Sequence, residues 1–211
     1  WFTESAANKI GYASTSSGSI TEYSTGITSS AGLLDIVAGP DGRLWFTENS
    51  ANKIGAIATG KDATGTSNGT TAGTVTEYST GISASAGLGG IAVGADGRIW
   101  FTERNGNRIG AITTSGTVTE YSAGVTASAQ PWEIAAGPDG NLWFTERAGN
   151  RVAKISTSGS VTEYSASPAL NQPDAITKGV DGNLWFTQDA GNKVSSIAPA
   201  DGTITQYGPL A

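Results

Sequence analysis

The tetrapeptide Trp-Phe-Thr followed by Glu or Gln occurs five times in the 211-residue chain, led by Trp1, Trp45, Trp100, Trp143 and Trp185. These Trp lie 44, 55, 43 and 42 residues apart, and each opens the same longer phrase. After the motif come Asn-Lys or Asn-Arg, an apolar pair, a Ser/Thr/Gly turn and a closing strand that ends on Tyr. A period of ~40–45 residues holding four short strands is the mark of a propeller blade. The predicted fold class is therefore all-β: a β-propeller of five four-stranded units at about 1–30, 31–85, 86–128, 129–169 and 170–211. The first unit lacks its strand A, because the chain starts at strand B.

The unit around Trp143 shows how a blade is written. Strand A is expected at Glu133–Ala136 and strand B at Asn141–Thr145. Strand C is expected at Arg151–Ser156 and strand D at Ser160–Tyr164. Between A and B lies Gly137-Pro138-Asp139-Gly140, a G-x-D-G turn that recurs at Gly39–Gly42, Gly94–Gly97 and Gly179–Gly182. Asp supplies side-chain bonding there and the last Gly a positive φ, which favours a tight hairpin. Leu142 and Phe144 point to one face of strand B, Trp143 and Thr145 to the other. Sheets with both faces apolar are covered on both sides, as blades are by their neighbours. Trp, Phe and the repeated Tyr23, Tyr78, Tyr121, Tyr164 and Tyr207 are then packing residues between blades, each burying ~150–250 Å².

Composition removes several function classes. Cys, Met and His are absent, so there is no disulfide, no thiolate nucleophile, no Cys/His zinc site and no imidazole base. The net charge is −6 and the 12 Lys and Arg are scattered, which argues against a nucleic-acid partner. No run approaches the ~18 apolar residues of a membrane span. Two charged positions also repeat. Glu4, Glu48, Glu103 and Glu146 share one with Gln188; Lys9, Lys53, Arg108, Arg151 and Lys193 share the other. They read as a ladder of pairs or hydrogen bonds pinning the hairpin between B and C, each exposed pair contributing ~0–1 kcal/mol.

The phrases GPDGRLWFTENSANKIGAI (Gly39–Ile57) and GPDGNLWFTERAGNRVAKI (Gly137–Ile155) resemble the repeats of the virginiamycin B lyase family, streptogramin B lyase-like propellers related to the NHL-type group. The resemblance covers nearly the whole chain. It implies a propeller, seven-bladed in the active members, which open a cyclic depsipeptide antibiotic by elimination with a magnesium ion, a histidine and a glutamate. The family pattern often has Pro-His-Gly at the start of strand A. The corresponding pairs here are Leu34-Asp35, Gly89-Gly90, Trp132-Glu133 and Asp174-Ala175. With no His in the chain, no catalytic residue carries over.

Function in repeat proteins concentrates where the copies differ. The strand A entries gather at one mouth of a propeller channel, and there this chain places Asp35, Trp132, Glu133 and Asp174. Aromatic and polar groups in a concavity suit a small ligand, and Trp132 is the one Trp outside the repeated motif. The three carboxylates offer oxygen donors to Mg²⁺ or Ca²⁺; the alternative, favoured by the lack of a dense Asp-rich loop, is that each bonds backbone amides or faces channel water. An insertion at Lys61–Ala72 carries an Asn68-Gly69-Thr70 glycosylation pattern. Gly87–Ala92 imitates a dinucleotide fingerprint but precedes a strand rather than a helix.

The expected function is a non-catalytic binding or structural module, bacterial and exported to the surface or medium. Its ligand would be a small molecule, a glycan or a protein. The alternative is a lyase that uses a metal and carboxylates in place of histidine. The ring is expected to be completed by further blades as part of a six- or seven-bladed propeller. A closed five-blade ring and self-association with another chain are the other two solutions.

Overall fold

The computed structural model of the protein describes residues 1–61, 64, 66–67 and 69–208, and its regular elements are all strands. The leading sheet has three: β1 (Phe2–Glu4), β2 (Lys9–Ala13) and β3 (Ile20–Tyr23). The second holds β4 (Leu33–Ala38), β5 (Arg43–Glu48), β6 (Lys53–Ala58) and β7 (Val75–Tyr78). The third holds β8 (Leu88–Val93), β9 (Ile99–Glu103), β10 (Arg108–Ile112) and β11 (Val118–Tyr121). The fourth is β12 (Pro131–Ala136), β13 (Leu142–Glu146), β14 (Arg151–Ile155) and β15 (Val161–Tyr164). The fifth is β16 (Pro173–Lys178), β17 (Leu184–Gln188), β18 (Lys193–Ile197) and β19 (Ile204–Tyr207). Every sheet is an antiparallel meander in chain order, as the repeat requires. The Asn68 of the glycosylation pattern lies outside the described residues.

The sheets stack face to face in chain order. Trp45, Ile54 and Ala56 of the second sheet pack on Leu88, Ile91, Ile99, Phe101 and Ile112 of the third. Trp100, Ile109 and Ala111 meet Ile134, Leu142, Phe144 and Ile155 of the fourth in the same way. Trp143 and Val152 meet Leu184, Phe186 and Ile197 of the fifth. This is propeller packing, with each Trp turned toward the following blade. Trp45, Trp100 and Trp143 are fully buried. Each stacks on the Tyr of its own outer strand, with centroids 5.3–5.4 Å apart, across a strand C residue opposite the Trp: Ala56, Ala111 or Lys154.

The inner strands contain a feature absent from the sequence reading. β12 begins two residues earlier than expected, and its pairing with β13 shifts between Pro131 and Ile134. The same bulge interrupts β4, β8 and β16. A bulge takes backbone groups out of the ladder, and the Thr of the WFT motif replaces the lost partner. Thr102 Oγ1 accepts the Gly90 N–H at 3.0 Å and donates to the Trp132 carbonyl of the next blade at 2.8 Å. Thr47 bridges Asp35 N–H and Gly89 O, and Thr145 bridges Glu133 N–H and Asp174 O. One hydroxyl thus closes its own blade's bulge and fixes the spacing to the next.

Turns add a second tie between blades. Asn8, Asn52, Asn107, Asn150 and Asn192 adopt left-handed backbone, φ 48–56°, which Asn tolerates better than most residues. From there Asn52 donates to Ser83 O and accepts from Ala86 N at 3.0 and 2.8 Å, clipping its turn to the loop that feeds the next inner strand.

Replacing Thr102 by Val keeps the shape and removes both hydroxyl bonds, stranding Gly90 N–H and the Trp132 carbonyl. The expected loss is ~1–3 kcal/mol by urea denaturation. Thr187, whose side of the fifth sheet is exposed, serves as the control: Thr187→Val should change stability by under about 0.5 kcal/mol. Equal losses at both positions would contradict the bridging role.

Candidate functional site

The two residues left outside the ladder by each bulge are the pairs that differ most between units. Their backbone is satisfied by Thr, so their side chains are free to vary. Asp35, Trp132, Glu133 and Asp174 all stand on these bulges and are half-buried. In the third unit the same places are Gly89 and Gly90. A Cβ on Gly89 would lie 2.4 Å from Arg104 Nε, and one on Gly90 would lie 2.5 Å from Glu133 Oε2 and 2.9 Å from Glu133 Cα. The glycines are the floor on which the larger groups rest.

Two arginines complete the site. Arg104 and Arg147 directly follow the WFTE motif in units three and four, where Asn49 and Asp189 stand in units two and five. Arg104 donates to Glu133 at 2.9 Å. Arg147 pairs with Asp174 at 3.0 Å and with Asp189 at 2.5 Å. Both guanidiniums also lie near the Trp132 ring, at 3.7 and 4.8 Å from its centroid, within the range of cation–π attraction. Trp132, Glu133 and Asp174 therefore belong to one cluster held by arginine. Asp35 stands at its edge, its Oδ1 accepting Ile36 N–H at 2.8 Å and its Oδ2 accepting Ile91 N–H at 3.0 Å.

Electrostatics distinguishes Glu133 from the rest. Burial, then the negative charges of Asp35 and Asp174, push its carboxyl up to about 7, against the pull of Arg104. Burial also holds the Arg104 guanidinium below its usual value, with Arg147 acting the same way and Glu133 opposing. Arg104 Nε is buried with no hydrogen-bond partner, so it is a donor directed at no protein acceptor. Beside it opens a polar cavity of about 360 Å³ lined by Arg104, Asn105, Asn107, Ser128, Gln130 and Ala148.

A metal fits this arrangement poorly. Among the described residues no three carboxylates come together as a cation site. Glu133 and Asp174 are each already paired with a guanidinium. The sequence could not show this, because Arg104 and Arg147 carry no motif of their own. Their signal is the WFTER pentapeptide confined to the third and fourth units, the fourth of which carries Trp132.

The family model of the virginiamycin B lyase family matches residues 59–210. Among solved structures, the chain is 38% identical to virginiamycin B lyase from Staphylococcus aureus, over 98% of this chain and 65% of that one, with a TM-score of 0.86. A streptogramin B lyase structure is 36% identical over 100% of this chain and 65% of its own, with a TM-score of 0.88. A third match is a catalytically inactive histidine-to-alanine variant of the S. aureus lyase with quinupristin, at 37% identity over 99% of this chain and 66% of that one, TM-score 0.87. No curated protein sequence matches. The chain thus spans just under two thirds of the length of the first two solved relatives, 65% of each. The repeat, the blade packing and the extent of these matches agree: the chain belongs to the virginiamycin B lyase family.

Proposed function

We propose that the protein is a non-catalytic binding propeller of a bacterial cell surface or extracellular space, with its ligand seated at the mouth formed by Trp132, Glu133, Asp174 and Asp35. The observation that carries this reading is the arginine-filled mouth. Where the family pattern places histidine, Trp132 and Asp174 stand, and each is engaged by Arg147. An elimination needs a base positioned at the proton it removes, and the side chains that these blades bring to the mouth include no imidazole. The polar cavity lined by Arg104, Asn105, Asn107 and Gln130 suits a ligand rich in hydrogen-bonding groups. The inactive relative that holds quinupristin supports binding without turnover in such a propeller. Further blades of the family ring would complete the mouth.

A second reading rests on Glu133. A carboxyl titrating near neutrality in a concave site is a candidate general base, and it would give a lyase built on a carboxylate rather than histidine. Its pairing with Arg104 at 2.9 Å restrains it from reaching a substrate proton.

Quinupristin incubated with the protein and Mg²⁺ separates the two. Elimination leaves the mass unchanged, so the cyclic and linear forms are distinguished by chromatography and tandem mass spectrometry. The expected outcome is intact cyclic ligand. Linear product with a rate that rises through about pH 7 and disappears in Glu133→Gln would establish the second reading instead.

Calorimetric titration with quinupristin tests the mouth directly. Trp132→Ala should weaken binding about tenfold while the melting transition persists, because the other five Trp hold the blades. Unchanged affinity would place the ligand elsewhere.

A further inference from the structure

The Glu that ends the WFTE motif is not the nearest partner of the strand C base, so of the pairs or hydrogen bonds expected from sequence the ion-pair form does not describe it. Glu48, Glu103 and Glu146 are fully buried, and no donor reaches either carboxyl oxygen of any of them. The strand C bases serve the strand D glutamates instead. Lys53 donates to Glu77 at 2.5 Å, and Arg108 and Arg151 lie 3.3 and 3.6 Å from Glu120 and Glu163. The same two arginines are farther from the buried acids, 3.7 Å from Glu103 and 4.0 Å from Glu146.

The strand D carboxylates are fully supplied with donors. Glu77 also accepts Thr28 N–H and Oγ1–H, Glu120 accepts both groups of Ser83, and Glu163 both groups of Thr126. One guanidinium nitrogen of Arg108 lies within 4 Å of both Glu103 and Glu120, and one of Arg151 within 4 Å of both Glu146 and Glu163, so the inner and outer carboxyls of a blade sit side by side. Two ionised carboxylates in contact, one of them buried without a donor, is not a stable arrangement. A single proton on the inner one resolves it, turning the contact into a charge-assisted hydrogen bond.

The fifth sheet shows the same contact without charge. There Gln188 replaces the inner Glu and Gln206 the outer one. Gln188 Nε2 donates to Gln206 Oε1 at 3.0 Å and to Ser195 Oγ at 2.7 Å, while its Oε1 accepts Asn171 N–H at 2.7 Å. The amide is a permanent donor in the place where the other blades need a protonated acid.

We infer that Glu48, Glu103 and Glu146 are neutral acids, each donating its proton to the strand D carboxylate of its own blade, so that the propeller holds three protons that the unfolded chain releases and loses stability as pH rises. The groups facing these acids are Lys53 and Glu77 around Glu48, Arg108 and Glu120 around Glu103, and Arg151 and Glu163 around Glu146. Burial first, then the outer carboxylate, raises each inner acid from 4.5 to about 8. An acid raised by folding stabilises fully below its unfolded value near 4.5, and that contribution is lost progressively up to about 8. Burial works to raise Glu77 as well, but Lys53 and Thr28 hold it below its usual value. Its share is present above the unfolded value and lost at lower pH, outside this window.

The test is urea denaturation of the whole protein across this pH window, for the wild type and for Glu48→Gln, Glu103→Gln and Glu146→Gln combined. In the wild type the unfolding constant should rise roughly tenfold per pH unit for each proton held. The triple variant should fold, as Gln188 already does in its blade, and should keep only the residual slope of Glu133. A triple variant with the wild-type slope would overturn the inference. Infrared spectra provide a second readout that needs no unfolding. A protonated-carboxyl stretch present in mildly acidic wild type and reduced in the triple variant to the share of Glu133 is expected, and an unchanged band in the triple variant, or its absence from the wild type, would overturn the inference as well.

Discussion

A single hydroxyl, that of the Thr in the WFT motif, sets the inner geometry on which the rest of the propeller depends. It accepts a backbone N–H freed by the bulge of its own blade and donates to a carbonyl of the next. Without it, each bulge would bury polar backbone groups with no partner, which costs more than an ordinary hydrogen bond contributes. The distance between consecutive inner strands is therefore set by a short polar bridge at the channel. The large Trp and Phe faces farther out can pack only at the separation this bridge allows.

That division explains where variation is tolerated. The bulge residues make no ladder bonds with their side chains, and Thr supplies what their backbone lacks. One unit can then carry Gly89-Gly90 and the next Trp132-Glu133 without disturbing blade spacing. The two choices are coupled, since Cβ atoms on the glycines would collide with Arg104 and with Glu133. Arg104 and Arg147 reach across the same gap that Asn49 spans by donating to Leu88 O at 2.7 Å. The residue after WFTE is thus a cross-blade contact in units two to four, and in the third and fourth it became part of the mouth.

What the sequence shows and what it hides divide along the same line. The Trp, the G-x-D-G turns and the closing Tyr recur at a fixed period because every blade must cover both faces, so strand order and packing partners were readable. Asp35, Trp132, Glu133 and Asp174 were found as breaks in that period, and all four lie on bulges. The bulge was not legible, since it depends on pairing between two strands rather than on a residue type. The arginines were missed because an Arg after WFTE looks like any solvated charge until the next blade is set beside it. The WFTE glutamate was misread for a related reason. Its charge is plain in the sequence, but its burial is not, and burial decides whether the charge exists.

Gln188 was the residue that could have corrected that reading. A Gln among four Glu suggests at first that the charge is dispensable. Paired with Gln206, it says something stronger, because both partners changed together to neutral groups with one donor and one acceptor aligned. If the contact in the other blades were an ion pair to the strand C base, removing the acid would leave that base without its counter-charge. Instead Lys193 keeps its place and lies 3.3 Å from Gln206 Oε1, the counterpart of the strand D oxygen that the other bases address. The base keeps to the strand D group, as Arg108 and Arg151 do in their blades, where the inner acid is the farther neighbour. What each blade requires at the end of strand B is a buried hydrogen-bond donor directed at strand D, and a protonated carboxyl and a carboxamide meet that requirement equally well.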